Sequence, residues 1–316
     1  MRIQFLDALR GIAAMAVVLH HYNERLDWEH LSFGYLGVPV FFVLSSFVIA
    51  MSIGEKTLSA PFIGKFALRR AVRLDPPCWL TIACVVGIGY LLQRHLSFDG
   101  VTAAQVVAHM FYLQDALAYD AILPISRTLC YEIQFYLALA PLMWAMQESS
   151  AKPYLLVAVL LVLSLLDRHF EFTHHAFMGR FWFCFALGAI TYWTYAGKVH
   201  LGLLTAMCLL VGCVGVVFGD GYALTASITT AAISIALLSR RPHLLVGSGW
   251  QFLGRLSYSL YLTHLLFRWL ALRVSEHFLP VPLAALVGIA VALVSAWAFY
   301  YLIEKPSINL SRRLAL

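Results

Sequence analysis

Long apolar stretches joined by short polar connections dominate the chain. They lie near residues 34–53, 76–93, 125–146, 153–166, 177–196, 200–218, 222–239, 252–272 and 281–303. One more, at the start, is shorter: Gly11 to Leu19 is continuously apolar, and His20-His21-Tyr22-Asn23 follows. A hydrocarbon core of about 30 Å takes ~20 helical residues, so this first span must reach outward through His20 and His21. No small-x-small cleavage site follows it, which argues against a removable signal peptide. The segment 101–118 is apolar but interrupted by Gln105, His109, Gln114 and Asp115, and reads as an interfacial or re-entrant helix. The predicted fold is an all-α polytopic membrane protein with about ten transmembrane helices.

Basic residues set its orientation. The loop expected over 54–75 holds Lys56, Lys65, Arg69, Arg70 and Arg73, and an even number of crossings puts Lys152, Lys198, Arg240, Arg241, Lys305, Arg312 and Arg313 on the same side. The alternate loops hold Asp27 and Glu29, Asp167 and Glu171, Asp220, and Arg273 with Glu276. Both termini are therefore expected in the cytoplasm. An eleventh span at 101–118 would break the alternation. No internal repeat is evident, which disfavours inverted-repeat transporters.

Composition narrows the classes further. Of 316 residues 61% are hydrophobic and 12% charged, against roughly 25% charged in an average soluble domain. A soluble enzyme could not cover its surface with so little charge, and disorder is excluded by the abundance of large apolar residues. Ten spans would consume about 200 residues, so residues 1–316 read as a single transmembrane domain with no soluble domain. The net charge of +6 follows from basic cytoplasmic loops and implies no nucleic-acid partner. Cys78, Cys84, Cys130, Cys184, Cys208 and Cys213 sit in or beside apolar runs without a CxxC pair, and read as packing residues. No metal site is expected: the histidines are scattered, and His174-His175 has no companion ligands. Neither GxSxG nor a phosphate-loop or dinucleotide fingerprint is present.

Ionisable groups inside spans are expensive and mark functional candidates. Arg10 and His21 are eleven residues apart, about 20° from three whole helical turns, so they share a face. This stripe is either functional or a snorkelling arginine above a packing histidine. Arg69 and Arg73, if helical, face one way with Arg70 beside them. Guanidinium forks suit phosphate oxygens, and equally suit anionic headgroups as a topology signal. Glu132, a turn or two below the outer surface, must be protonated, paired or in a wet cavity. It could orient a histidine as an acid–base partner or form a structural interhelical pair. Ser257, Tyr261, His264 and Arg268 fall at i, i+4, i+7 and i+11, one polar stripe that must face a cavity or a partner.

Taken in order, these segments resemble the acyltransferase-3 family of integral membrane acyltransferases. Leu6 to Ala14 with Val18 and His21 is similar to the family's Arg-x10-His segment, and Gly37 to Phe47 to its GVxxFFxxSGF segment. Arg69-Arg70-Ala71-Val72-Arg73-Leu74-Asp75-Pro76 resembles its basic RRxxRLxP loop. Thr128 to Tyr136, Leu256 to His264, and Ile303-Glu304-Lys305-Pro306 resemble three further segments. The chain departs from the pattern at Ser46, where the family has glycine, at Pro39 and at Thr128, which read as subfamily variation bearing on the acceptor more than on the reaction type.

The resemblance implies a bacterial inner-membrane enzyme that moves an acyl group, acetyl by expectation, from cytoplasmic acetyl-CoA (acyl-CoA) to a hydroxyl of a glycan or glycolipid on the outer side. It implies His21 as base or acyl carrier, Glu132 orienting it, and Arg10 on the donor's polar arm. Arg69, Arg70 and Arg73 would hold the donor phosphates. Ser45, Tyr136, Ser257, Tyr261 and His264 would line the acceptor side. The rival class is a proton-coupled transporter with His21 and Glu132 as relay. It accounts for the buried ionisable groups but not for three arginines followed by Pro76-Pro77.

Overall fold

In hydrocarbon a backbone must satisfy its own N–H and C=O groups, which an isolated apolar stretch does only as a helix. All ten stretches carry one in the computed structural model. They are α1 (Gln4–Leu26), α2 (Gly37–Ile53), α3 (Ala60–Leu92), α5 (Ser126–Ala145), α6 (Lys152–Phe170), α7 (Trp182–Tyr195), α8 (Leu201–Val217), α9 (Gly221–Leu238), α10 (Ser248–Ser275) and α11 (Val281–Phe299). The structure describes residues 3–26, 28–54, 56–92, 101–145, 152–170, 181–239, 244–275 and 277–314, and these hold no strand. Asp27, Glu171, His174, His175, Arg240, Arg241 and Glu276 lie outside the described residues, as do the side chains of Glu29 and Lys152. Four helical runs among the described residues are long and apolar enough to cross a membrane: Leu31–Ile53, Ala60–Leu91, Gly221–Leu238 and Val281–Arg313.

The segment 101–118 forms only the eight-residue α4 (Ala103–Met110), which rises about 12 Å and is too short to cross. Beyond it the chain turns at Tyr112 and Ala118, whose φ angles are 58° and 54°. α11 continues through a π-helical turn, Tyr300–Glu304, into α12 (Lys305–Arg313).

Two expectations are corrected. The basic segment is not a loop, because α3 begins at Ala60 and runs through Arg69, Arg70, Arg73 and the Pro76-Pro77 pair. Its four cations, Lys65, Arg69, Arg70 and Arg73, lower the mean hydropathy and hide an amphipathic helix that buries Phe66 and Leu74. A proline removes one intrahelical donor, and near this point Tyr258 Oη donates to the Leu74 carbonyl at 2.7 Å. Asp167, expected in a loop, lies in the last turn of α6 and is buried.

The chain divides into two compact units. The first comprises Met1–Val17, Phe33–Ile63 and Glu132–Ser257. In it the start of α1 meets the start of α10 at paired glycines. A Cβ on Gly11 would lie 2.6 Å from the Gly254 nitrogen, and one on Gly254 only 2.2 Å from the Asp7 carbonyl oxygen. α2 packs along α7, where Ser46 Oγ donates to the Phe185 carbonyl. Phe185 stacks between Phe135, at 4.2 Å, and Phe42, at 4.9 Å.

The second unit comprises Val18–Ser32, Gly64–Tyr131 and Tyr258–Leu316. Here the buried Glu304 carboxylate accepts from the backbone N–H of Ser259 at 3.1 Å and from its hydroxyl, tying the π-helical turn to α10. Tyr112 Oη donates to Asp75 at 3.0 Å, fixing the turn after α4 against α3. His109 is a clip within the same region: its Nδ1 lies 2.8 Å from the Gln105 carbonyl and its Nε2 accepts from the Ile122 N–H at 2.9 Å.

Candidate active site

His21 lies in the C-terminal half of α1, inside the second unit. Its imidazole meets His264 of α10, with ring centroids 5.2 Å apart and planes inclined by 32°. The His20 ring lies beside it at 5.3 Å. His264 is completely buried. Its Nδ1 lies 2.8 Å from the Tyr261 carbonyl and 3.1 Å from that of Leu260. Carbonyl oxygens only accept, so Nδ1 carries the proton and Nε2 keeps the lone pair. That Nε2 is buried and has no hydrogen-bond partner among the described residues.

The neighbouring residues repeat the pairing between the two helices. Tyr22 follows His21, Arg268 lies one turn beyond His264, and the Arg268 guanidinium sits 5.7 Å over the Tyr22 ring. Tyr22 is fully buried, and only a glycine leaves room for it on α11. A Cβ at Gly288 would come within 2.6 Å of Tyr22 Cε1 and 2.8 Å of its hydroxyl.

Tyr261, one turn before His264, is held from α5. Its hydroxyl lies 2.6 Å from Thr128 Oγ1, which lies 2.8 Å from the Ile125 carbonyl. The threonine proton goes to that carbonyl, so the Tyr261 hydroxyl donates to Thr128. The structure thus brings His21 together with Tyr261, His264 and Arg268 of the predicted polar stripe, and adds Tyr22 and Thr128.

Arg69, Arg70 and Arg73 are all half-buried on α3. Arg70 lies 5.5 Å over the Phe66 ring. Arg69 and Arg73 have no hydrogen-bond or ion-pair partner among the described residues, which leaves both forks available to an anion. The remaining predicted residues belong to the first unit. Arg10 is half-buried and pairs with Asp7 at 3.4 Å. Ser45 is half-buried on α2, Glu132 half-buried on α5, and Tyr136 buried on α5. Ser257 is buried and donates to the Gly254 carbonyl of its own helix at 3.0 Å. Among the described residues no three His, Cys, Asp or Glu side chains gather as a metal site.

A family model described as an acyltransferase domain, Acyl_transf_3, matches residues 3–301. The chain belongs to the acyltransferase-3 family. Among relatives, it is 30% identical over 174 residues to the O-acetyltransferase OatA of Staphylococcus aureus (strain NCTC 8325 / PS 47), covering 51% of this chain and 28% of OatA. It is 25% identical over 325 residues to the "Putative acetyltransferase ORF330" of Acidianus two-tailed virus, covering 96% of this chain and 91% of that one. The chain therefore spans under a third of the OatA length. No solved structure matches significantly.

Family membership gives the departures structural meaning. Ser46 replaces the expected glycine and uses its hydroxyl on α7, tying the two helices together. Thr128 replaces the expected tryptophan and anchors Tyr261. Glu304, in the closing motif, was not singled out by the sequence, yet it is buried with two donors from Ser259. A carboxylate ending a long apolar run is the signal that could have found it. Nothing in the spacing pointed to Tyr22, because its partner Gly288 lies on a distant stretch.

Proposed function

We propose that the protein is an acyl-CoA-dependent O-acyltransferase of the cytoplasmic membrane of bacteria, with all of 1–316 forming one transmembrane domain and both termini in the cytoplasm. The donor, acetyl-CoA by preference, lays its phosphates on Arg69, Arg70 and Arg73. Arg10 engages its polar arm, and the thioester reaches His21. His21 acts on the thioester or on the acceptor hydroxyl, and Glu132 is a second candidate acid–base group. Ser45, Tyr136, Ser257, Tyr261 and His264 receive the acceptor, a glycan or glycolipid hydroxyl on the outer side. The name of the OatA relative supports acetyl as the group moved.

The observation that carries this reading is the contact of His21 with a buried His264 whose Nε2 lone pair is unused. Nucleophilic and acid–base chemistry both need such a nitrogen within reach of the reacting atoms. The Arg69 and Arg73 guanidiniums, without a partner among the described residues, offer a matching anion site.

The test uses membranes from cells making the protein, incubated with [14C]acetyl-CoA. Label is expected to enter the glycan and glycolipid fraction and to be lost in His21→Ala. Equal labelling by both proteins would refute the assignment.

A further inference from the structure

We infer that His264 is a second base of this reaction, taking the proton of the attacking hydroxyl while His21 carries the acyl group. The inference rests on the acyltransferase reading above and deepens it.

A neutral imidazole offers a single lone-pair nitrogen. If that nitrogen of His21 attacks the thioester, it becomes part of the new C–N bond and is lost as a base. The acceptor hydroxyl still needs its proton removed as it attacks. A one-histidine site can therefore be a carrier or a base, but not both in the same step. The structure supplies the second group. The Nδ1–H of His264 is engaged by two carbonyls of its own helix, at 2.8 and 3.1 Å. This fixes the tautomer in which Nε2 accepts. That atom is buried and without a partner among the described residues, in a ring 5.2 Å from that of His21. Burying an acceptor and leaving it empty is costly, and a ligand hydroxyl would fill it. Thr128 and Tyr261 hold the turn of α10 from which this histidine projects.

The atoms balance over two steps. First, the His21 lone pair attacks the thioester carbonyl, the C–N bond forms and the C–S bond breaks. The proton on the other His21 nitrogen leaves with the thiolate as free thiol. Second, His264 Nε2 removes the hydroxyl proton as the oxygen bonds to the acyl carbon and the C–N bond breaks. His264 then returns that proton to the departing His21 nitrogen, so both rings end neutral.

Purified protein in lipid discs, mixed with [14C]acetyl-CoA and with water and methyl glucoside as hydroxyl sources, separates the steps. His264→Ala is expected to release about one thiol per chain at the wild-type rate, the burst expected of a covalent intermediate. Label should stay on the protein, and turnover should fall at least ~100-fold. Hydroxylamine, a nucleophile that attacks acylimidazoles without help from a base, should restore turnover. His264→Gln keeps a polar side chain of similar size and should behave the same, distinguishing loss of the base from loss of the fold. Turnover within about threefold of wild type in both variants, or loss of the first thiol equivalent in both, overturns the inference. Wild-type protein releasing no thiol overturns the acyltransferase reading and this inference with it, whereas normal wild-type and variant turnover removes this inference only.

Discussion

Two single residues show how local chemistry sets the site and its surroundings. Thr128 gives Tyr261 its acceptor, so Thr128→Val should cost about 0.5–1.5 kcal/mol of stability. Thr128→Ser should retain it. Comparison of thermal unfolding in detergent checks both. His109 uses both ring nitrogens, one donating to Gln105 and one accepting from Ile122. Burial lowers its pKa, opposed by the Gln105 hydrogen bond and the Asp115 charge. The neutral form is thus favoured in the folded protein. Its contribution is present above the ordinary histidine pKa of about 6.5 and is lost as pH falls from there through the lower folded-state pKa. Thermal stability should decline on acidification below about pH 6.5, and His109→Gln should flatten that decline. At this scale His21, Tyr261 and His264 were legible, because polar residues in apolar stretches stand out. Thr128 and Tyr22 were not: their partners, Tyr261 and Gly288, are distant in sequence, and spacing along one helix says nothing about contacts across helices.

Helices were legible wherever hydrophobicity was continuous, since the membrane leaves an apolar stretch little other choice. The failure was at α3. Its first four turns carry Lys65, Arg69, Arg70 and Arg73, and Pro76-Pro77 looks like a boundary. The helix continues because its apolar positions, Phe66 and Leu74, are buried on one side. This corrects the geometry of the basic segment: Arg69 and Arg73 are one turn apart on a rigid element. The double variant Arg69→Ala/Arg73→Ala should weaken acetyl-CoA binding at least tenfold, with unfolding temperature little changed; each charge-assisted hydrogen bond contributes about 1.5–3 kcal/mol. Unchanged binding would reduce the cluster to a topology signal. Helix contact is equally specific at the crossing of α1 and α10. Gly254→Ala places a methyl 2.2 Å from the Asp7 carbonyl oxygen, and should cost about 1–3 kcal/mol by overpacking. A thermal melt reads this directly.

For the molecule as a whole, 12% charged residues leave few groups for chemistry, and these divide between basic connections and a few buried side chains. The distribution of the basic residues underlies the proposed orientation, with the α3 arginines on the cytoplasmic side. In a cysteine-free background, a membrane-impermeant thiol reagent on intact cells should label Phe218→Cys but not Ala196→Cys. Reversed labelling would invert the proposed topology and put the α3 arginines on the wrong side for a cytoplasmic donor. The buried groups carry the central claim, that the acyl group passes through His21. Thiol release from acetyl-CoA by purified protein in lipid discs, wild type beside His21→Ala, tests it most directly. The account predicts steady release by the wild type and at least a ~100-fold loss in the variant, with acetyl-CoA still bound; release by His21→Ala at the wild-type rate would contradict it.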